Sequence, residues 1–432
     1  MSVGVGTIKR PLRERCHLKR PLFCLSRLVA EEMKLARTQP KLSGMNVGHT
    51  LHLVTRDIRP TVDRELWARA AGRCQFNGCN RIVYKSSVTQ ESVNISEKAH
   101  IYSFSSHGPR GHGPLKRDLH LLNEVGNLLL VCHDCHKKID KRKDGGRYPA
   151  DLLQQWKLEH ERRIALVTGV APHKKSTIVL YGANIGNERS PLQAVQAQWA
   201  TFPDWYPSNE HPLCLSMTWE GKDDQRQYWT TEEENLRLGF ERLIAPRIAA
   251  GEHFSIFGLA PIPLLIRLGT LFTDKIPAEV YQLRREPEQT WQWSRSRHKT
   301  DYQIKAPRTF RHPPVLIIAL SAPIAHDRVI SVLGREMSIW QLTIRHPHND
   351  FLKTRRQLSQ FREAVRRLMV RIAERHGQQT PLAIFPAMPV AAAVELGRVR
   401  MPKADMPWVV YDQNKNARAF VKALEIPGGP HD

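Results

Sequence analysis

The chain has 432 residues, with 65 Lys+Arg against 42 Asp+Glu and a formal net charge of +23. That length suits two or three domains, and the charge favours a polyanionic partner through counterion release, largely without sequence preference. No apolar run approaches the ~20 residues of a membrane-spanning helix, and the apolar piece from Pro21 to Ala30 is broken by Arg27 and lacks a small-residue cleavage site, so neither a span nor a secretory signal is expected.

In chain order, residues 1–48 are rich in Arg and Lys with no sustained period. They read as a basic leader, expected to be disordered, with Met33 and Met45 as alternative starts. Val62 to Ala71 reads as a helix leading into a first cysteine knuckle, Cys74 to Cys79 (CQFNGC). Val93 to Ile101 alternates apolar and polar residues and reads as a strand with His100 near its end. The run Gly126 to Cys132 (GNLLLVC) enters a second knuckle, Cys132 to Cys135 (CHDC), and a helix is expected from His136 to Lys143. Pro149 opens a helix running to about Val167, with Leu152, Leu153, Trp156, His160 and Ile164 on one side. Residues 169–175, with Pro172 and two lysines, read as a linker.

Beyond the linker, apolar runs alternate with amphipathic helices. Strands are expected at Ser176 to Gly182, Leu213 to Trp219, His253 to Gly258, Val315 to Leu320, Ser338 to Ile344 and Leu382 to Phe385. Helices are expected at Thr231 to Ala250 (Thr231 and Glu234 as a capping box), from Pro263 through Phe272, at Lys353 to His376, and at Val390 to Leu396. This alternation argues a mainly parallel sheet covered by helices.

Two thiolate pairs on tight turns, Cys74 with Cys79 and Cys132 with Cys135, supply a tetrahedral site for a structural Zn2+. Seven cysteines with four committed to metal point to a reducing cytoplasm. The remaining pattern, Ala99-His100-Ile101, Asn127 and His136, is not needed for zinc. It resembles the zinc-containing HNH nucleases, a ββα-metal fold, over roughly residues 61 to 165. The resemblance implies a catalytic set of His100 as first H, Asn127 as N and His136 as last H. A histidine near its ordinary pKa can take a water's proton at neutral pH. Asn127 would orient the histidine-bearing loop, and His136 would hold a catalytic Mg2+ or Mn2+ acting on the scissile phosphate. Many members carry Asp where this chain has Ala99, so a further ligand is needed, with Glu97, Asp134 and His112 as candidates.

Two strand ends resemble each other: Phe257-Gly258-Leu259-Ala260-Pro261-Ile262-Pro263 and Phe385-Pro386-Ala387-Met388-Pro389-Val390. In open α/β sheets ligands bind at such ends. Gly182 to Gly186, at the end of the strand expected at Ser176 to Gly182, reads either as a cradle for a phosphate or as a short glycine turn. Trp291, Trp293 and Tyr302 among Arg295, Arg297, Lys299 and Lys305 form an aromatic and basic stretch able to stack on bases, or else a basic loop with partly buried tryptophan. The segments HFSIFGLAPIPLLIRLG and PLAIFPAMPVAAAVELGRVRMPKADMPWVVYDQN resemble a SAVED domain, two fused Rossmann-like (CARF-like) halves that sense cyclic oligonucleotides. Ala260, Pro261, Pro263, Ala387 and Pro389 would line the cyclic-nucleotide site.

An HNH nuclease followed by SAVED resembles an effector of CBASS antiphage defence. The expected fold is therefore α+β multidomain: leader 1–48, zinc-stapled HNH nuclease 49–168, linker 169–175 and α/β SAVED sensor 176–432. The expected activity is cyclic-nucleotide-activated, largely sequence-indifferent cleavage of double-stranded DNA. The implied partners are a cyclic di- or trinucleotide and copies of the chain itself, a homodimer at rest and a larger homo-oligomer when activated. Two alternatives stay open: an HNH restriction endonuclease whose C-terminal domain recognises DNA, and a non-catalytic zinc-bearing nucleic-acid sensor.

Overall fold

The structure is a computed structural model that describes residues 56–141, 146–185, 192–215, 225–414 and 419–428. Residues Ile58–Asp432 form one compact unit. The expected leader, with Met33 and Met45, lies outside the described residues.

The first part of the compact unit is small. Helix α1 (Pro60–Ala70) begins on proline, whose fixed φ suits a first helical position, and stops where Ala71 turns left-handed (φ 50°). Gly72 follows at φ +62°, and a Cβ there would meet the Tyr84 ring at 2.8 Å, so only glycine fits. Strands β1 (Ser96–His100) and β2 (Leu128–Cys132) pair antiparallel, with Ser96 opposite Cys132 and His100 opposite Leu128. Every β2 residue is buried, because helices cover it. Helix α2 (His133–Ile139) follows directly, and α3 (Ala150–Thr168) packs across α1, its buried His160 bonding the Ala70 carbonyl at 3.0 Å. The core joins Val62, Leu66, Ile101, Leu129, Val131 and Leu153.

The second part holds two sheets. In the first, β3 (Lys175–Gly182) is flanked on one side by the short strands β4 (Tyr206–Pro207) and β5 (Leu213–Cys214), and on the other by β6 (Phe254–Leu259) and then β7 (Ala278–Tyr281). All of its pairings are parallel. Helices α4 (Ala194–Thr201), α5 (Arg226–Leu243), α6 (Ala245–Ala249) and α7 (Ile262–Leu271) accompany it. The second sheet is formed by β8 (Gln303–Lys305), β9 (Pro314–Ala319), β10 (Ser338–Thr343), β11 (Leu382–Ala387), β12 (Trp408–Asn414) and β13 (Ala419–Ile426) in the order β13-β12-β11-β9-β10-β8. Its interior pairings are parallel and its two edges antiparallel. Helices α8 (His326–Leu333), α9 (Arg355–His376) and α10 (Val390–Arg398) belong to this half.

The two halves repeat one plan. A single sequence offset relates Phe257 to Phe385, Pro261 to Pro389 and Gly269 to Gly397. Phe257 stacks on Tyr281 (centroids 4.4 Å, 15°) and meets Trp291 edge-on. Phe385 stacks on Tyr411 (4.4 Å, 8°) and meets Phe420 edge-on. Helices α7 and α10 cross where these glycines touch. A Cβ on Gly269 would lie 2.0 Å from the Val394 carbonyl oxygen, and one on Gly397 would lie 2.0 Å from that of Ile266.

Several expected boundaries shift. Helix α5 begins at Arg226, so Thr231 sits inside it and caps nothing, and the expected single helix to Ala250 breaks at Ile244. The capping box instead opens α9, where Thr354 and Gln357 bond reciprocally. Helix α2 starts three residues before His136 and ends at Ile139. The strand expected from Leu213 is described only to Cys214, its remainder falling largely outside the described residues, as does Gly186 of the phosphate-cradle candidate. Trp291 is 2% exposed against Phe257, and the Tyr302 hydroxyl donates to the Gln357 carbonyl. Trp291 is therefore core packing, Trp293 and Tyr302 are half-buried, and Arg295, Arg297, Lys299 and Lys305 are exposed.

Candidate functional site

The four cysteines converge. The sulfurs of Cys74, Cys79, Cys132 and Cys135 all lie within 4.8 Å of one another, and those of Cys79 and Cys132 are 3.9 Å apart. A zinc ion with Zn–S bonds of about 2.3 Å would set its four sulfurs about 3.8 Å apart, so the set fits a tetrahedral thiolate site with no position left for water. None of the four is in a disulfide. Burial pushes the Cys74 thiol up to about 12 and raises that of Cys135 as well. A bound cation would offset that penalty by holding the sulfurs as thiolates. The knuckles are fixed by backbone bonds: Cys74 N donates to Arg81 O at 2.8 Å, and Cys132 N to the Cys74 sulfur at 3.3 Å. Gln75, 1% exposed, joins the first knuckle to β2, its backbone N donating to Leu130 O while its side-chain Oε1 accepts from Leu130 N, each at 2.8 Å.

The strand register then positions the three polar residues of the motif. Because His100 pairs with Leu128, Asn127 stands beside the turn that follows His100. Ile101 N donates to Asn127 O, and Tyr102 N donates to Asn127 Oδ1, both at 2.8 Å. The Asn127 Nδ2 donates to the carbonyls of Tyr102 and Leu122, both at 2.9 Å. Asn127 is 5% exposed with its amide committed to backbone, so it holds the loop, as the resemblance implies. His100 is half-buried, and its Nε2 lies 3.0 Å from Asn123 Oδ1. An amide oxygen only accepts, so this bond needs the proton on Nε2.

His136 lies on α2 with its Nε2 3.6 Å from Asp140 Oδ2, too long for a direct hydrogen bond. The two groups form a two-donor pair. The three ligand candidates named from sequence are committed elsewhere: Glu97 to His133, Asp134 to Arg81, and the His112 ring to the Phe104 carbonyl. Ala99 is fully buried opposite Leu129. The carboxylate beside His136 is therefore Asp140, which sequence reading missed although its four-residue spacing on a helix was legible.

Arg110 was also missed. Only 4% of its side chain is exposed. Its Nε donates to Ile101 O at 2.5 Å and its Nη2 to His100 O at 3.1 Å and to Asp140 Oδ1 at 3.0 Å, while Nη1 donates to Ile139 O at 3.3 Å. One guanidinium thus ties the end of β1, which carries His100, to the end of α2, which carries His136. Its backbone is left-handed (φ 64°), a strained conformation for a non-glycine residue that the surrounding bonds maintain.

At the strand ends of the two sheets, Ala260, Pro261, Pro263 and Pro389 are buried, and Ala387 is half-buried. They form the helix entries and present no polar side chain to a ligand. Leu259, Ile262 and Val390 keep partial exposure, and Gln282 Oε1 accepts from Ala391 N at 3.0 Å, linking the end of β7 to the start of α10. The matching position on α7 is Pro263, which has no N–H to offer, so the two ends differ in polarity where the fold otherwise repeats.

Residues 236–426 match SAVED, the SMODS-associated and fused to various effectors sensor domain. The C-terminal region is a SAVED domain. The match begins within α5, yet β3 pairs with β6 over six residues, so the SAVED sheet physically includes β3. Among solved structures, the Acinetobacter baumannii Cap4 SAVED/CARF-domain containing receptor with the cyclic trinucleotide 2'3'3'-cAAA has a TM-score of 0.40 and 14% identity, covering 64% of this chain and 56% of that one. The same receptor with 3'3'3'-cAAA has a TM-score of 0.37 and 13% identity, covering 68% and 61%. The Moraxella osloensis Cap4 receptor has a TM-score of 0.34 and 13% identity, covering 68% and 58%. The chain thus spans less than two thirds of the length of each. No curated protein matches the chain. No helix among the described residues is long and apolar enough to cross a membrane.

Proposed function

We propose that this chain is a metal-dependent endonuclease of double-stranded DNA, switched on by a cyclic oligonucleotide bound to its SAVED domain, as an effector of antiphage defence. The observation that carries the nuclease half is the buried Arg110 clamp, which ties the strand end bearing His100 to the helix bearing His136 and Asp140. The SAVED match supports the sensor half.

In this reading the His100 imidazole takes the proton of the attacking water, while Asn123 holds the ring through Nε2. Asn127 keeps the turn after His100 in place. His136 and Asp140 would hold Mg2+ or Mn2+ as two donors, which suits ions that keep several waters and take further ligands from phosphate. Such an ion would supply Lewis-acid charge at the scissile phosphate and leaving oxygen. The thiolate set would hold Zn2+ for structure alone. Activation requires two states that the cyclic nucleotide prefers differently, and assembly from a homodimer to a larger oligomer provides them.

The test is plasmid nicking by the full chain with cyclic di- and trinucleotides and Mg2+ or Mn2+, with mass followed by light scattering. His100→Ala should lower cleavage by about 10²- to 10⁴-fold with circular dichroism and zinc content unchanged. Near-parental cleavage would remove His100 from the base role, and activation at constant mass would sink the assembly step. One observation favours the non-catalytic alternative: among the described residues the four cysteines are the one group of three or more metal-ligand side chains. Absence of cleavage with any divalent cation would decide for it.

A further inference from the structure

Helix α9 carries two kinds of arginine. Along one flank, Arg355 pairs with Asp204 and Glu279, Arg362 with Glu395, and Arg366 with Asp274. Along the other flank run Arg367, Arg371 and Arg375, all exposed, with no carboxylate within salt-bridge distance among the described residues. Glu374, exposed beside them, pairs with none of the three. Their four-residue spacing places them in one row, about 6 Å apart along the helix axis.

Two of these side chains are held in place by aromatic rings. The Arg371 guanidinium lies 5.5 Å from the Trp340 ring and that of Arg375 lies 5.0 Å from Phe310. The two rings are themselves 5.6 Å apart, and Trp340 Nε1 donates to His376 Nε2 at 3.1 Å. A guanidinium over a ring keeps its charge and outward N–H groups while losing rotamer freedom, so it arrives at a ligand partly ordered. An arginine with a partner carboxylate is already neutralised, whereas this row is not. Arg308 and Arg311, exposed on the loop that carries Phe310, extend the same positive surface.

We propose that the row Arg367, Arg371 and Arg375, with Arg308 and Arg311, is a docking surface for the phosphate backbone of double-stranded DNA. It lies on the SAVED domain, apart from the His100 site. Regular spacing and full charge fit repeated phosphates read without regard to sequence. Choosing DNA as the occupant rests on the endonuclease reading. The surface would hold the duplex while the nuclease residues act on it, and would make the SAVED domain part of the substrate site as well as the sensor.

The test uses full-length His100→Ala protein, so that bound DNA stays intact, and a short labelled duplex whose binding is followed by fluorescence anisotropy between about 50 and 200 mM salt. The triple variant Arg367→Gln, Arg371→Gln, Arg375→Gln should bind roughly 10- to 100-fold more weakly and lower the slope of log affinity against log salt by about 2 to 3. The triple lysine variant should keep most of that slope. If the glutamine variant is misfolded by circular dichroism, Arg308→Gln with Arg311→Gln gives the same reading from the loop, with a smaller change in slope. Unchanged affinity and slope in a folded variant overturns the proposal, as does failure of the parent to bind duplex DNA at low salt. Plasmid cleavage by the unmodified protein is measured separately. If binding depends on the arginine row but no cleavage is seen under any activator or metal, the docking surface stands and the endonuclease reading falls.

Discussion

Residues 58–168 and the SAVED region keep their shapes by different means. The first has one short hairpin, a modest core and few buried apolar side chains. Its precision comes from four sulfurs and from single polar residues, Gln75, Arg110 and Asn127, that each bond several backbone groups. The second buries two sheets under helices in one large core drawn from residues between Val179 and Ile426, with a smaller cluster around Phe257 and another around Phe385. A small region cannot bury enough apolar area to fix a site on packing alone, so it relies on directional bonds and on four converging cysteines able to hold a metal. A large one can hold its shape by packing. The comparison teaches that point substitutions should act locally and steeply in the first region, and through packing in the second.

The sharpest break comes from Cys132→Ser. It should unfold or aggregate residues 58–168, because a zinc ion held by the four thiolates would supply much of a small region's folding free energy, while the SAVED core persists. Two separated transitions in calorimetry and loss of zinc would show it. A variant that retains zinc and a single unchanged transition would contradict the four-thiolate assignment. Next, Gly269→Ala should destabilise the SAVED region by about 3 kcal/mol, since its Cβ would press on the Val394 carbonyl and neither helix backbone can retreat alone. Gly126→Ala, which meets open space, should stay within about 0.5 kcal/mol. Equal effects from the two would dissolve the contrast.

Arg110→Lys should preserve charge and fold but lose the fork that joins the carbonyls of His100 and Ile139 to Asp140. The expected outcome is a fall in kcat of about 10²-fold with little change in KM, from misplacement of the catalytic groups. An equal fall in thermal stability and no specific change in kcat would reduce Arg110 to scaffold. The smallest effect concerns pH. His253 is held down to about 4 by burial and by the charges of Lys174 and Arg398; it stacks on Trp205 and bonds Ser176 at 2.9 Å. The unfolded chain, with an ordinary histidine near 6.5, binds the proton more readily, so stability should be complete above about 6.5 and decline as pH falls toward 4. His253→Gln should flatten part of that decline in melting temperature. An unchanged pH profile would show that other groups, such as His160 and His376, carry it.

Much of this was legible in the chain itself. The two cysteine pairs, the order of strands and helices, and the repeated strand–proline–helix units depend on spacing and local propensity, which sequence carries directly. So do the place of His100 at a strand end and the end of α9 at His376, where Gly377 follows. Other features depend on residues far apart in the chain and near in space. Asp140 beside His136 is fixed by Arg110, thirty positions before it, which no local pattern announces. The Thr231 capping box failed because tertiary packing extended α5 past its local signal, and Trp291 looked like a stacking platform until Phe257 covered it. The split of α9 into paired and unpaired arginines is equally invisible from the helix alone, because its partners Asp204, Glu279, Asp274 and Glu395 arrive from other elements. Sequence determined which side chains exist and which local structures they favour. Only the tertiary fold decided which charges are neutralised and which remain available, because that depends on long-range contacts formed when the sheets and helices close around their cores.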